Sequence, residues 1–207
     1  MKKKNKFIVI EGGEGSGKST LIALMKEKYG DKKFAFTREP GGSAYAEAIR
    51  DIALRHNLAK EASAETLFGL MWAARHDNLQ KSIIPALNSG RHVISDRFDS
   101  ATYAYQIKAM NAQHLENLFW SVRESFLKDC KPDLYIILDL DPKVGMERVS
   151  SRKEVKNHFD ERKMDFHKKI RQSLLDFSKK VPSVIVDASQ SLEKVKEDFF
   201  KVIDEQI

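Results

Sequence analysis

Five short apolar runs recur along the chain, at residues 7–10, 34–37, 92–96, 134–138 and 183–186. Each is continuous rather than alternating, which is how a strand reads when helices cover both of its faces. Between them the apolar spacing changes to the helical period. Residues 18–29 put Leu21, Leu24 and Met25 on one face and stop at Gly30, a suitable residue for the end of a helix. Further helical patterns cover 43–58, 62–87, 114–128, 143–180 and 192–207, and Pro85 should kink or end the second of these. Strands alternating with helices imply right-handed crossovers and a parallel sheet. The pattern therefore predicts an α/β fold of three layers, with a five-stranded parallel sheet flanked by helices. No repeat, low-complexity tract or linker divides the chain, so residues 1–207 read as one domain. In such sheets ligands bind beyond the carboxyl ends of the strands, so the chemistry should follow each apolar run.

After the first run comes Gly12-Gly13-Glu14-Gly15-Ser16-Gly17-Lys18-Ser19, which fits GxxxxGK[ST]. Glycines let the backbone turn its N–H groups toward one anion, and the following helix adds its positive end. Lys18 is spaced to reach the β- and γ-phosphates, and the Ser19 hydroxyl to ligate Mg²⁺. With Thr20 on the first helical turn, residues 12–20 form the candidate nucleotide-phosphate site. At average residue frequencies a chance match in such a chain has odds of about one in a hundred, and the flanking strand and helix lower them. The chain has no Asn-Lys-x-Asp guanine reader and is short for a large ATPase, so size and exclusion favour a nucleotide kinase on a P-loop NTPase fold.

Charge adds a second clue. The formal net charge is +6, and residues 143–180 hold 12 Lys+Arg against 6 Asp+Glu, while the remainder balances at 24 of each. The whole excess lies in one segment. It reads either as a basic lid over a polyphosphate or as a solvated helix face. A nucleotide-dependent nucleic-acid-binding module is the non-enzymatic alternative, poorly supported because few aromatics interleave the basic residues. The partners expected are therefore small nucleotides, with neither nucleic acid nor membrane. No apolar run approaches the ~20 residues that span a bilayer. A single cysteine, Cys130, excludes an internal disulfide framework, and a cytoplasmic location is the expectation.

The other strand ends also finish in charged residues: Arg38-Glu39-Pro40-Gly41-Gly42, Asp96-Arg97-Phe98-Asp99 and Asp139-Leu140-Asp141-Pro142. Asp96 resembles a Walker-B acid holding the Mg²⁺ shell. Arg97 is suited to bidentate phosphate binding, or the two form a structural pair. Arg75 lies among Met71, Trp72, Ala73 and Ala74. A charge in so apolar a setting either meets a carboxylate in the core or faces a ligand.

Five motifs in order now resemble the thymidylate kinase family: the glycine loop at 12–19, the block at 38–42, Ala73-Ala74-Arg75, Asp96-Arg97-Phe98 with Ala104-Tyr105-Gln106, and Pro132-Asp133-Leu134. The resemblance implies transfer of the γ-phosphoryl group of ATP to dTMP, with Mg²⁺, in a homodimer. It implies that Glu14 contacts the sugar 3′-hydroxyl, that Arg50 and Arg97 hold the acceptor phosphate with Arg38 nearby, and that Arg75, Thr102 and Gln106 read the thymine edge. Tyr105 would wall the sugar pocket, and Asp96 and Glu39 would lie near the metal. The 187–190 loop would pack beside adenine, unless it is a simple turn with Ser189 or Ser191 capping the last helix.

The chain departs from the family pattern at two points. Met71 stands where a phenylalanine usually stacks on the base, which leaves a kinase for another monophosphate as the alternative. The phosphate loop carries no arginine, so the catalytic arginine is expected from a lid at about 148–160, with Arg148 and Arg152 the candidates. Lys18, Arg97 and one of these two would then neutralise the charge that spreads during phosphoryl transfer.

Overall fold

Strand β1 (Phe7–Gly12) is buried along its whole length, Glu11 included. In the computed structural model, which describes residues 5–150, 159 and 162–207, it forms the middle of a parallel five-stranded sheet. The other strands are β2 (Phe34–Arg38), β3 (His92–Asp96), β4 (Leu134–Asp139) and β5 (Ser183–Asp187), in the order β2-β3-β1-β4-β5. Alternate β1 side chains enter different cores. Phe7 and Val9 pack with the helices on one face, and Ile8 and Ile10 with those on the other. Burial on both faces is why the apolar runs are continuous rather than alternating. The register Ile10↔Asp96 and Gly12↔Leu138 brings the charged strand ends together at one edge.

Helix α1 (Lys18–Lys33) buries Leu21 and Met25, and its path breaks at Gly30, where φ is 68°. Helices α2 (Ala44–Arg50) and α3 (Ala64–Asn78) start at Ser43 and Ser63, whose hydroxyls accept the Ala46 and Thr66 amides. Helix α4 (Ile84–Asn88) opens with Pro85 in its first turn. Then follow α5 (Asp99–Thr102), α6 (Glu116–Leu127), α7 (Pro142–Ser150), α8 (Met164–Ser178) and α9 (Leu192–Asp204). None of the described helices is long and apolar enough to cross a membrane.

Three expected helices are modified. The 43–58 and 62–87 patterns each contain a π-helical turn, Asp51–Arg55 and Leu79–Ile83. The second gives way to the short α4 at Pro85, so the proline begins a new segment rather than ending the old one. The 143–180 pattern divides into α7 and α8. The sequence reading also missed a helix: α5 continues into a π-helical stretch, Tyr103–Ala109, over residues taken only as site chemistry.

One polar cluster holds this helical face. The Glu116 carboxylate accepts from Lys108 Nζ at 2.5 Å, Lys180 Nζ at 3.1 Å and the Tyr103 hydroxyl at 3.0 Å, tying α6 to the 103–109 stretch and to the residues after α8. Partial burial raises the Glu116 pKa, but these donors outweigh it and lower it to about 2. The carboxylate binds its proton less tightly folded than unfolded, so its contribution is complete above pH ~4.5 and is lost as pH falls toward ~2. Glu116→Gln should cost about 1–2 kcal/mol at pH 7. Urea titrations at several pH values should show the difference shrinking across that acidic window.

Candidate active site

At the carboxyl edge of the sheet lies a cleft of about 260 Å³. Its floor is the loop after β1. At Gly15, φ is 69°, and an added Cβ would sit 2.2 Å from the Gly145 carbonyl oxygen. Only glycine fits there, because α7 presses on the loop. Ser16 Oγ donates to the Gly13 carbonyl at 2.8 Å, and Lys18 Nζ donates to the Gly12 and Gly13 carbonyls at 2.8 and 3.1 Å. Burial, reinforced by Arg97, pulls the Lys18 pKa below the usual lysine value, although Glu14, Asp96 and Glu11 oppose this.

Arg97 stands at the centre. It follows β3 in a left-handed conformation, φ 66°, with its amide bound to the Ile10 carbonyl at 3.0 Å. Nη1 donates to Glu11 Oε1 at 3.0 Å and to the Gly12 carbonyl at 3.2 Å, and Nη2 donates to Glu14 Oε1 at 2.7 Å. Burial disfavours the Arg97 charge, but Tyr105, Glu14, Glu11 and Asp96 more than offset it and raise its pKa well above the ordinary arginine value. Burial also works against the Glu14 charge, yet Arg97 and Lys18 hold that carboxyl below its usual range. The Tyr105 hydroxyl donates to the same Glu14 oxygen at 3.3 Å.

Arg75 meets a carboxylate in the core, the first of the two alternatives, and keeps one nitrogen free of protein partners. Its Nε donates to Glu39 Oε2 at 2.7 Å, and its Nη2 to the Phe98 carbonyl at 2.9 Å and Thr102 Oγ1 at 3.1 Å. Trp72 and Phe98 rings flank the guanidinium, 4.5 and 5.2 Å from its carbon. Nη1 is buried without a protein partner, on a side chain that lines the cleft. Glu39 is buried, and its other oxygen accepts from Asn78 at 3.2 Å. Burial raises the Glu39 pKa to about 7, against the opposing pull of Arg75. Both Glu39 oxygens are thus engaged by protein donors.

The cleft gathers most of the sequence-predicted residues. Glu14, Gly15, Ser16, Gly17, Lys18 and Ser19 line it on the loop side. Glu39, Arg50, Met71, Arg75, Asp96 and Arg97 line the opposite side, with Thr102, Tyr105 and Gln106 from the 99–109 helix. Gly12, Gly13, Thr20, Arg38 and Arg148 do not line it. Arg38 is exposed and pairs with Glu47 at 2.9 Å. Arg148 Nη1 lies behind the loop, donating to the Gly15 carbonyl at 3.3 Å and the Ala188 carbonyl at 3.2 Å. Arg152 and most of the expected lid fall outside the described residues. Of the two candidate serines, Ser191, just past the 187–190 loop, caps α9, while Ser189 within it binds back to Asp187. Asp139, at the end of β4, pairs with Arg171 at 2.7 and 2.9 Å.

The sequence reading missed Glu11, Ser100 and Phe159. Glu11 carried a signal, a carboxylate closing an otherwise apolar strand. Phe159 lines the cleft and packs edge-on against Tyr105, centroids 5.4 Å apart. Three buried polar atoms without a protein partner belong to charged residues of this one cleft: Arg50 Nε, Arg75 Nη1 and Asp96 Oδ1. Buried polar groups are rarely left unpaired, so this clustering marks a place for a polar ligand.

The thymidylate kinase family model matches residues 10–199. The thymidylate kinase of Clostridium novyi is 38% identical over 82% of both chains, and that of Neisseria gonorrhoeae is 36% identical over 97% of both. The crystal structure of the thymidylate kinase from Ehrlichia chaffeensis superposes with a TM-score of 0.74 at 26% identity, covering 97% of this chain and 98% of that one.

Arg75 and Glu39 generate a stability prediction. Arg75→Met leaves a carboxyl buried without its counter-charge and should cost about 3 kcal/mol, about 6–12 °C in Tm for a chain of this size. Adding Glu39→Gln to the same protein should recover part of the loss. Scanning calorimetry of the single and double variants reads both effects.

Proposed function

This chain belongs to the thymidylate kinase family, and we propose that the cleft above β1 and β3 is where it brings its two nucleotides together. It is a nucleoside monophosphate kinase that transfers the γ-phosphoryl group of ATP to dTMP, and the family uses ATP as donor. The observation that carries the site assignment is the convergence of three unpartnered buried polar atoms, on Arg50, Arg75 and Asp96, opposite the phosphate loop.

In this reading the loop of residues 12–20 holds the donor triphosphate through Lys18 and through its amides other than that of Gly12, which Glu11 engages. Arg97 and Arg50 hold the acceptor phosphate, with Arg38 at the rim. Arg75 offers Nη1 to the base, assisted by Thr102 and Gln106, while Met71 and Leu54 contribute flexible aliphatic walls. Glu14 and Tyr105 face the sugar. Phosphoryl transfer asks for alignment and charge neutralisation more than for a general base. Mg²⁺ fits the oxygens of Ser19 and Asp96, since Asp96 Oδ1 is buried and unpartnered, and when bound it supplies neutralisation of charge developing on the phosphates. Glu39, with both oxygens engaged, acts through Arg75 rather than on the metal. The lid expected at about 148–160, to exclude water, lies mostly outside the described residues, with Arg148 and Arg152 as the arginine candidates. A cytoplasmic location is part of the same reading.

Apolar exposure supports the homodimer. Gly69 and Ala73 on α3 are exposed, and so are Leu118 and Phe126 of α6, at 49% and 38%. Phe126 packs on Trp72 and His76, with centroids 5.9 and 5.0 Å apart. Exposed small and aromatic residues of this kind suit a self-complementary two-fold contact.

Two measurements test these readings. With dTMP, dUMP, dCMP, dGMP and UMP as acceptors, ADP formation should favour dTMP by about tenfold or more in kcat/KM. A flat profile would remove the thymine assignment. Ala73→Asp combined with Leu118→Asp should halve the mass in sedimentation equilibrium while leaving the helical circular dichroism intact.

A further inference from the structure

Glu11 is the only carboxylate among the buried polar residues of β1, and it lies on the strand that launches the phosphate loop. Its Oε1 accepts two donors at once, the Gly12 amide at 3.1 Å and Arg97 Nη1 at 3.0 Å. Its Oε2 accepts the Ser100 hydroxyl at 2.8 Å. Ser100 is itself fixed, with its amide bound to Asp99 Oδ1 at 3.0 Å. Asp99 in turn is held by Arg123 Nε at 2.6 Å and by the Tyr135 hydroxyl at 2.5 Å. Every link in this chain is buried or partly buried, and Glu11, Asp99, Ser100 and Tyr135 are completely so.

The arrangement has a geometric consequence. Glu11 belongs to the β1 end, where the donor loop starts. Arg97 belongs to the β3 end, where the acceptor side starts. One carboxylate oxygen therefore touches the first amide of the loop and the guanidinium proposed to hold the acceptor phosphate. Arg97 also sits at φ 66°, unusual for a residue with a side chain, so its place depends on its contacts rather than on backbone preference. A bound phosphate dianion would draw the guanidinium toward itself. The buried carboxylate on the other side supplies the opposing pull.

We propose that Glu11, braced by Ser100, is a positioning residue for phosphoryl transfer: it sets where the Arg97 guanidinium lies relative to the phosphate loop, and so the alignment of donor and acceptor. The inference rests on the acceptor-phosphate role proposed for Arg97. Glu11 itself touches neither nucleotide, and it does not line the cleft. Its loss should therefore appear mainly in kcat. Misplacement by about 1 Å can cost about a hundredfold, whereas ATP affinity depends on loop amides that stay where they are.

The test is steady-state kinetics of Glu11→Gln, Ser100→Ala, Arg97→Lys and the Glu11→Gln/Arg97→Lys double variant, with melting temperatures recorded for each. Glu11→Gln should lower kcat about 10–100-fold with the KM for ATP changed by no more than about twofold. Ser100→Ala should act in the same direction, more weakly. The double variant should be no slower than the worse single one, because both changes disturb one device. Wild-type kcat in a folded Glu11→Gln protein, or strictly multiplicative effects in the double variant, would overturn the inference. Should Glu11→Gln fail to fold, Ser100→Ala and its double variant with Arg97→Lys apply the same criteria. Wild-type kcat and KM in Arg97→Lys would instead remove the acceptor role of Arg97, and the inference with it, a result distinct from a failure at Glu11 alone.

Discussion

A charge withdrawn from water needs an opposite charge at hydrogen-bonding distance, and that requirement organises the carboxyl edge of this sheet. Among the described residues, three arginines there pair with a buried carboxylate: Arg75 with Glu39 at 2.7 Å, Arg123 with Asp99 at 2.6 Å, and Arg97 with Glu11 at 3.0 Å. Such pairs contribute little net stability compared with apolar packing, because desolvation offsets much of the attraction. What they provide is direction. Each guanidinium has its orientation fixed from behind by a carboxylate that water does not reach. Two of the three, Arg75 and Arg97, then present their remaining surface to the cleft.

This explains which parts of the chain were readable in advance. The sheet was legible because burial on both faces writes a continuous apolar run, and all five runs became strands. The phosphate loop was legible because its glycines and Lys18 occupy fixed places in one short segment. The ion pairs were not. Glu39 and Arg75 are separated by 36 residues, and Glu11 and Arg97 by 86, so their pairing exists only once the strands are in register. Glu11 reads as an ordinary strand-end charge until β3 is laid beside β1. The helix over 99–109 was missed for a different reason. Its residues are nearly all buried, so no polar stripe marks a helical period.

On the proposed assignment, local chemistry constrains the donor side closely and leaves more freedom on the acceptor side. The loop at 12–19 has little room for variation, since α7 packs against it at Gly15. The cleft wall at Met71 is softer. Met71 is buried, but the nearby Phe68 and Trp72 rings face one another, and Trp72 also faces Phe119 and Phe126. The aromatic residues of this helix thus support the core and the α6 face, and the cleft receives a thioether instead. In the proposed reading, recognition of the base leans on polar donors, with Arg75 foremost, and less on a rigid flat surface.

The π-helical stretch from Tyr103 to Ala109 carries a last implication. The Met110 amide reaches back five residues to the Tyr105 carbonyl at 2.9 Å, so this segment contains one residue more than a regular helix would use. Removing that residue would restore ordinary winding and turn everything beyond it by about 100°. Side chains on the two sides of the stretch could not then both keep their present bearings. The surplus residue acts as a phase shifter: it lets one face of a single helix serve the cleft at Thr102 and Gln106 while Ile107 and Ala109 remain in register with the core. A length change of one here would therefore change which side chains of the segment face the cleft.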